Sequence, residues 1–347
     1  MTDDVSPTDD SPAIDEVLDA AIHGADLDAL VRCVDDRVAT RDWAGLLRLR
    51  DRCRAAVRTG RQLWPAATLA EYRLALWAPA EWAVAAIDDE AGRFTPGPLS
   101  EVIATHHTWA ELAPLLPLGP IRDIVAHERA LRGDDIDDDA SSANPAAVGA
   151  VRVLDLPAKP RPWEPDYLHP AYTDDGCDAP APPRPTGLTP VDMSPPPQVI
   201  VDDDDTHDAF RALVQVWTDD STARTEMICV EGDHVAALSA VGPRHIRAVE
   251  IDLDAALTHL VWAGASGAAH GRRRGVATAR FNAWWLLATM CDVDHDWGDG
   301  AELGAAVQSL RWWWWDTTEP AAGWELRLVA HSPDDGLSWV FLAVDGG

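Results

Sequence analysis

Lysine is almost absent from this chain: Lys159 is the only one in 347 residues, and the other basic side chains are arginine, as high-GC coding favours. Against 28 basic residues stand 58 acidic ones, a net charge of -30. Repulsion from phosphate backbones and anionic lipid heads disfavours both surfaces, so neither nucleic acid nor membrane is an expected partner. No run reaches ~18 apolar residues, and the acidic start MTDDVSPTDDSP has no basic or apolar signal region. No export signal or membrane span is expected. Cysteine is scarce: Cys33, Cys53, Cys177, Cys229 and Cys291 are odd in number and form no C-x-x-C pair. Such usage fits a reducing, cytoplasmic location. G-x-S-x-G, H-E-x-x-H, a P-loop and a dinucleotide fingerprint are all missing, so no catalytic residue and no cofactor is expected.

What is present is enough apolar mass, 47% of residues, for two cores, and a chain of this length exceeds what one core normally supports. Charge and proline place the expected boundaries. Residues 1–12 form an acidic tail; residues 13–132 carry 14 Arg against 18 acidic residues and form a folded unit. Residues 133–205 carry 4 basic and 16 acidic side chains with 14 of the 26 prolines, a composition that predicts an extended linker. Residues 206–347 hold 11 of the 17 tryptophans, which implies a well-buried core.

In 13–132 apolar residues recur at helical spacing, as in Leu27, Leu30, Val31 and Val34, then Trp43, Leu46 and Leu47, with Asp26 and Asp42 as start signals. An all-α bundle or short stack of helical hairpins follows. In 206–347, EMICVEG, HVAALSAVG, RHIRAVEID, WELRLVAHS and LSWVFLAVD read as strands, and THDAFRALVQVWTDD, DLDAALTHLVWAGA and VATARFNAWWLLATM as helices. A further helix is expected from Ala301 into the tryptophan run. The predicted fold is multidomain: helices first, then an α+β unit with a mainly antiparallel sheet covered on one side by helices.

The stretches RLRDRCRAAVRTGRQLWPAATLAEYRLALWAPAEW, HTWAELAPLLPLGPIRDIVAHERALRG and ASGAAHGRRRGVATARFNAWW resemble a family of uncharacterised actinobacterial proteins. The resemblance spans most of both halves. It implies a bacterial cytoplasmic protein, and no activity or site residue.

Three features invite a functional reading. The turn SGAAHGRRRG brings Ser266, His270, Arg272, Arg273 and Arg274 beside glycines and a helix N-terminus, the elements of an anion site. The competing reading has those arginines covering helix C-terminal carbonyls. In CDVDHDWGDGAEL, Asp292, Asp294 and Asp296 alternate like calcium-loop ligands, but Trp297 occupies the turn-glycine position and the loop reads better as a helix cap. Four consecutive rings, Trp312 to Trp315, cannot all face one core, so Trp312 and Trp315 are candidates for an interface with a partner. Adjacent His106 and His107 point about 100° apart on a helix and cannot easily share a ligand. The chain therefore reads as a noncatalytic interaction protein with a protein partner. The alternative is an enzyme or sensor of a small anionic ligand at 266–275.

Overall fold

The computed structural model describes residues 11–88, 91–136, 154–193, 199–242, 245–293, 300–317 and 323–346, with side chains from Glu16 onward. Most of the expected acidic tail lies outside the described residues. The chain forms two compact units: Met1–Leu116 with Thr173–Asp175, and Pro117–Tyr172 with Gly176–Gly347.

The first unit is helical. Helices α1 (Ser11–Gly24), α2 (Leu27–Thr40), α3 (Trp43–Arg58) and α4 (Trp64–Trp77) are followed by α5 (Ala80–Ala85), α6 (Leu99–His106) and α7 (Trp109–Leu112). The Asp26 carboxylate accepts the Ala29 N–H and that of Asp42 accepts the Gly45 N–H, so each start signal satisfies a helix-end donor. Leu30, Val34, Leu46, Leu49, Cys53, Ala66 and Ala70 form the core on the 3.6-residue period. Glu71, buried in that core, accepts from Arg54 Nε at 2.6 Å and from the Gly92 N–H at 2.7 Å. Helices α6 and α7 are separate, because Thr108 and Glu111 form a capping box that starts α7.

The second unit opens with α8 (Pro120–Leu131), a helix expected in the first. Its seven-stranded sheet is antiparallel throughout, in the order β3-β6-β7-β8-β9-β5-β4. The strands are β3 (Thr189–Pro190), β4 (Val199–Val201), β5 (Arg224–Glu231), β6 (Ile246–Ile251), β7 (Arg311–Thr317), β8 (Trp324–Ser332) and β9 (Leu337–Asp345), and a ribbon of β1 (Ala171–Thr173) and β2 (Gly176–Asp178) precedes them. Helices α9 (Asp204–Leu213), α10 (Gln215–Asp219), α12 (Leu253–Ala265), α13 (Val276–Met290) and α14 (Ala301–Val307) belong to the same unit.

Three expectations are corrected here. HVAALSA is helix α11 (His234–Ala240), started by Asp233, whose carboxylate accepts the Val235 and Ala236 N–H groups. The sheet is covered on both faces, since α11 packs with Trp313, Trp315, Val329 and Val340 on the face opposite the main core. The expected linker is not extended over 154–193. Leu154, Leu156, Trp163 and Tyr167 are buried in the core of the second unit, and β3 and β4 form the two sheet edges, where Pro190 removes no needed donor. Residues 137–153 and 194–198 of that segment lie outside the described residues.

A buried ion pair anchors the segment. Arg280 on α13 and Glu164 are both fully buried, with Arg280 Nε and Nη2 at 2.6 and 2.7 Å from the carboxylate oxygens. Arg280 also donates to the Pro157 carbonyl at 2.8 Å, and Glu164 accepts from Tyr167 Oη and Trp284 Nε1. Burial alone would push the Glu164 carboxyl up, but the charge and hydrogen bonds of Arg280 hold it below its ordinary value. Helix α13 is buried nearly all round, with Ala277, Arg280, Trp284, Leu287 and Ala288 each inaccessible within the main core.

Candidate functional site

The Ser266–Gly275 loop closes on itself. The Gly271 N–H donates to the Gly267 carbonyl at 2.7 Å, and a Cβ on Gly267 would stand 1.9 Å from the Gly271 oxygen. These glycines permit backbone to meet backbone. Ser266 is buried and donates to Ala263 O, while His270 is exposed. Arg274 Nη1 donates to the Ala212 carbonyl at 2.8 Å, near the end of α9, and burial pulls its guanidinium down from the usual range. Arg272 is likewise lowered by burial, with Tyr172 opposing. Arg273 lines a crevice of about 10 Å³ with Tyr167 and Trp262, room for one water at most.

Two backbone donors, that of Ala269 in the loop and that of Ala277 just after it, meet carboxylates of the chain itself. The Ala269 N–H donates at 3.1 Å to Asp345, which is inaccessible and also accepts from Ser221 Oγ. At the start of α13 the Ala277 N–H donates at 2.8 Å to Glu128, 1% exposed and paired with Arg132. An external anion at either place would have to displace a buried carboxylate.

The tryptophan run is strand β7, not a helical continuation. Trp312 and Trp314 face the main core, and Trp313 and Trp315 face the core under α11. Alternation across a sheet covered on both faces resolves the geometric conflict, so Trp312 and Trp315, 1% and 0% exposed, are core side chains and offer no interface. Trp313 is stacked under His234 at 4.1 Å with Arg311 at 5.0 Å from its ring centroid.

Asp292 lies at φ 51° just past the end of α13, the left-handed position that stops a helix. Asp294 and Asp296 lie outside the described residues. Among the described residues no group of three His, Cys, Asp or Glu side chains could hold a metal ion.

Among the described nucleophiles, one serine and three cysteines are engaged or protonated. His331 Nδ1 lies 3.0 Å from Ser338 Oγ and 3.1 Å from the Leu337 carbonyl, which can only accept, so Nδ1 carries the proton. Ser338 is inaccessible and gives its own proton to Gly232 O at 2.7 Å, so the pair is a strand-end latch and not a catalytic dyad. Burial pushes the Cys53 thiol up to about 11 and those of Cys229 and Cys291 to about 12, where thiolate is scarce.

Two concave features carry no sequence motif. In the first unit an open groove of about 570 Å³ is lined by Val38, Arg41, Trp43, Trp77, His107 and Asp174. Trp77 is 46% exposed yet held by its Nε1–H, which donates to Asp174 at 2.8 Å; Arg73 pairs with the same carboxylate. Trp64 and Phe94, 40% and 54% exposed, meet with ring centroids 4.3 Å apart and planes tilted by 40° elsewhere on this unit.

In the second unit a cavity of about 200 Å³ is lined by Pro182, Arg184, His259, Trp262, Trp314 and Glu325. The β7–β8 ladder runs from Arg311–His331 to Trp314–Leu328, and the cavity opens beyond its end. His259, on α12, is 4% exposed, its ring 4.4 Å from that of Trp314, and its Nδ1 has no hydrogen-bond partner among the described residues. Burial pulls its pKa from 6.5 to about 4, so the ring is neutral at physiological pH. The only sequence signal for it is one histidine on the apolar face of DLDAALTHLVWAGA.

Set against known proteins, residues 28–347 match a family of unknown function, DUF6183. No curated protein and no solved structure matches.

Proposed function

Since the chain belongs to the DUF6183 family, which carries no activity to inherit, we propose that it is a noncatalytic interaction protein whose helical unit engages a protein partner in the cytoplasm. The observation that carries this reading is the groove around Trp77: an indole nearly half exposed, yet fixed in place by Asp174, is a preorganised anchor. Indole faces, Pro79 and Val38 suit an apolar side chain, and a net charge of -30 favours a basic partner. Five free cysteines support a reducing compartment. Among the described residues no helix is long and apolar enough to cross a membrane.

The test is co-purification from native lysate on the parent and on Trp77→Ala, with mass spectrometry of bound proteins and small molecules. Basic proteins retained by the parent, lost by a normally folded variant and released by moderate salt are the expected outcome. The same proteins on both baits, or retention indifferent to salt, would refute the reading. Binding of a small anion at Ser266, His270 and Arg272 to Arg274 is the competing proposal; its support is three half-buried arginines on one loop. Stabilisation by inorganic phosphate, lost when those arginines become alanine, would favour it.

A further inference from the structure

We propose that the half-open edge of β5 takes an extended segment of a partner protein, alternately basic and apolar, as an added strand. The inference concerns the sheet-containing unit and main-chain pairing, and stands whether or not the Trp77 groove takes a partner.

The sheet ends unevenly on this side. β5 pairs with β9 along its whole length, whereas β4 covers only Cys229 to Glu231. The chain enters β4 opposite Glu231, and beyond Val201 it turns away into α9. Phe210 and Leu213 of that helix are buried in the main core, with the Phe210 ring 5.2 Å from that of Phe341, so α9 lies over one face of the sheet and not along its edge. Arg224 to Ile228 therefore have β9 on one side and, among the described residues, no hydrogen-bond partner for their main chain on the other.

Alternate N–H and C=O groups directed outward from such a stretch are a template for strand addition. Arg224 is exposed and Thr225 to Ile228 are half-buried, so the edge is reachable. The opposite edge of the sheet is protected: β3 has two residues and ends in Pro190. β5 contains no proline, and its Arg224 and Glu226 neutralise each other at 2.5 Å. Val199 and Ile200 of β4 add apolar surface beside the gap, at 52% and 69% exposure.

Charge selects the occupant. Exposed aspartates flank both ends of the gap: Asp202, Asp204 and Asp205 where β4 gives way to α9, and Asp219 and Asp220 on the approach to β5. Among the described residues none of the five is ion-paired, and Asp219 meets only the Gln215 amide at 2.9 Å. A second copy of the chain would bring the same aspartates against themselves, with a net charge of -30 on each molecule. A basic strand gains from all of them. Along it, apolar residues continue the face of Met227, which packs against the main core, and basic residues take the other face.

The test uses the full chain, with a peptide alternating lysine and valine, blocked at both ends, as the probe. Binding is followed by fluorescence anisotropy of the labelled peptide and located by hydrogen exchange. Saturable binding that slows exchange of main-chain N–H groups within 224–228 is expected. Peptides N-methylated at alternate nitrogens keep the charge and lose pairing along one edge; the pattern facing β5 is expected to bind about tenfold more weakly, as the loss of two main-chain hydrogen bonds requires. Asp202→Lys combined with Asp220→Lys, both at exposed positions, is expected to weaken the probe about fivefold at low salt with the melting temperature little changed. The proposal is overturned if both N-methylated patterns bind like the probe, which leaves charge attraction alone, or if the slowed exchange falls elsewhere. It is also overturned if the doubly substituted chain binds like the parent, or if the chain without peptide is a dimer with 224–228 already protected, which makes a second copy the occupant.

Discussion

The same residue type is used in opposite ways in the two units. In the sheet-containing unit tryptophan is interior material: Trp217, Trp284, Trp312, Trp315 and Trp339 are essentially inaccessible. In the helical unit Trp64 and Trp77 are 40% and 46% exposed, over a core built from leucine and alanine. The contrast separates packing from recognition. A shallow face with fixed aromatic anchors suits a macromolecule, whereas inaccessible indoles serve to fill a core.

The largest expected effect sits at the bottom of the tryptophan-rich core. Arg280→Leu leaves Glu164 buried without its cation and is expected to cost about 3–5 kcal/mol. Chemical denaturation followed by intrinsic fluorescence measures it, and a loss below about 1 kcal/mol would show the 154–172 segment to be a loose appendage after all.

Next comes pH. The His259 imidazole has its folded pKa depressed to about 4 from 6.5, so the unfolded chain takes up the proton first as pH falls. The contribution is fully present above about pH 6.5 and is lost on descending to about pH 4, a difference of roughly 3 kcal/mol. His259→Leu is expected to flatten the stability profile in that window relative to the parent. Parallel profiles would mean that the ring is solvated.

A smaller loss, about 1 kcal/mol, is expected from Arg274→Ala, which leaves the Ala212 carbonyl without its donor. Thermal denaturation is sufficient to detect it, and an unchanged midpoint would return this arginine to the pool of ligand-seeking groups. Smallest is Trp77→Ala on the surface of the helical unit, expected to change stability by about 0.5 kcal/mol while removing partner capture. A loss as large as that of Arg280→Leu would erase the contrast between the units.

The legible parts of the fold are those fixed by local chemistry. Asp26, Asp42 and Asp252 each mark a helix start and each accepts the backbone N–H three residues on. Strands β5, β6, β8 and β9 and the antiparallel character of the sheet are likewise readable from short apolar runs between turns. Four identical residues, however, carry no alternation, so nothing local distinguishes Trp312 to Trp315 as a strand from a helix; burial on both faces hides the period. Asp233 reads equally as a turn residue and as the cap of α11. The packed part of the expected linker is decided by tertiary partners far along the chain, Arg280 for Glu164 and Trp284 for Trp163, at 5.0 Å between rings. Its signal was the aromatic content of WEPDYLHPAY within proline-rich sequence. The arginine triplet is conspicuous in sequence, whereas Glu128 and Asp345, which take the nearby donors, are visible only once the chain is folded. His259 and Trp77 belong to no motif, and their environments come from neighbours brought in from elsewhere in each unit.

Strand β9 lies between β8 and β5, pairing with β5 from Arg224–Val344 to Glu231–Leu337. During synthesis an inner strand of this sheet, next to its centre, is therefore the last of its strands to leave the ribosome. At 5–20 residues per second, β5 waits roughly 5–20 s for its long partner, with only the three-residue β4 available beside it. Its apolar Met227, Ile228 and Val230 are exposed to other nascent chains for that interval. A ribosome-stalled chain ending before Leu337 is accordingly expected to recruit a chaperone holdase, and one extended past β9 to release it.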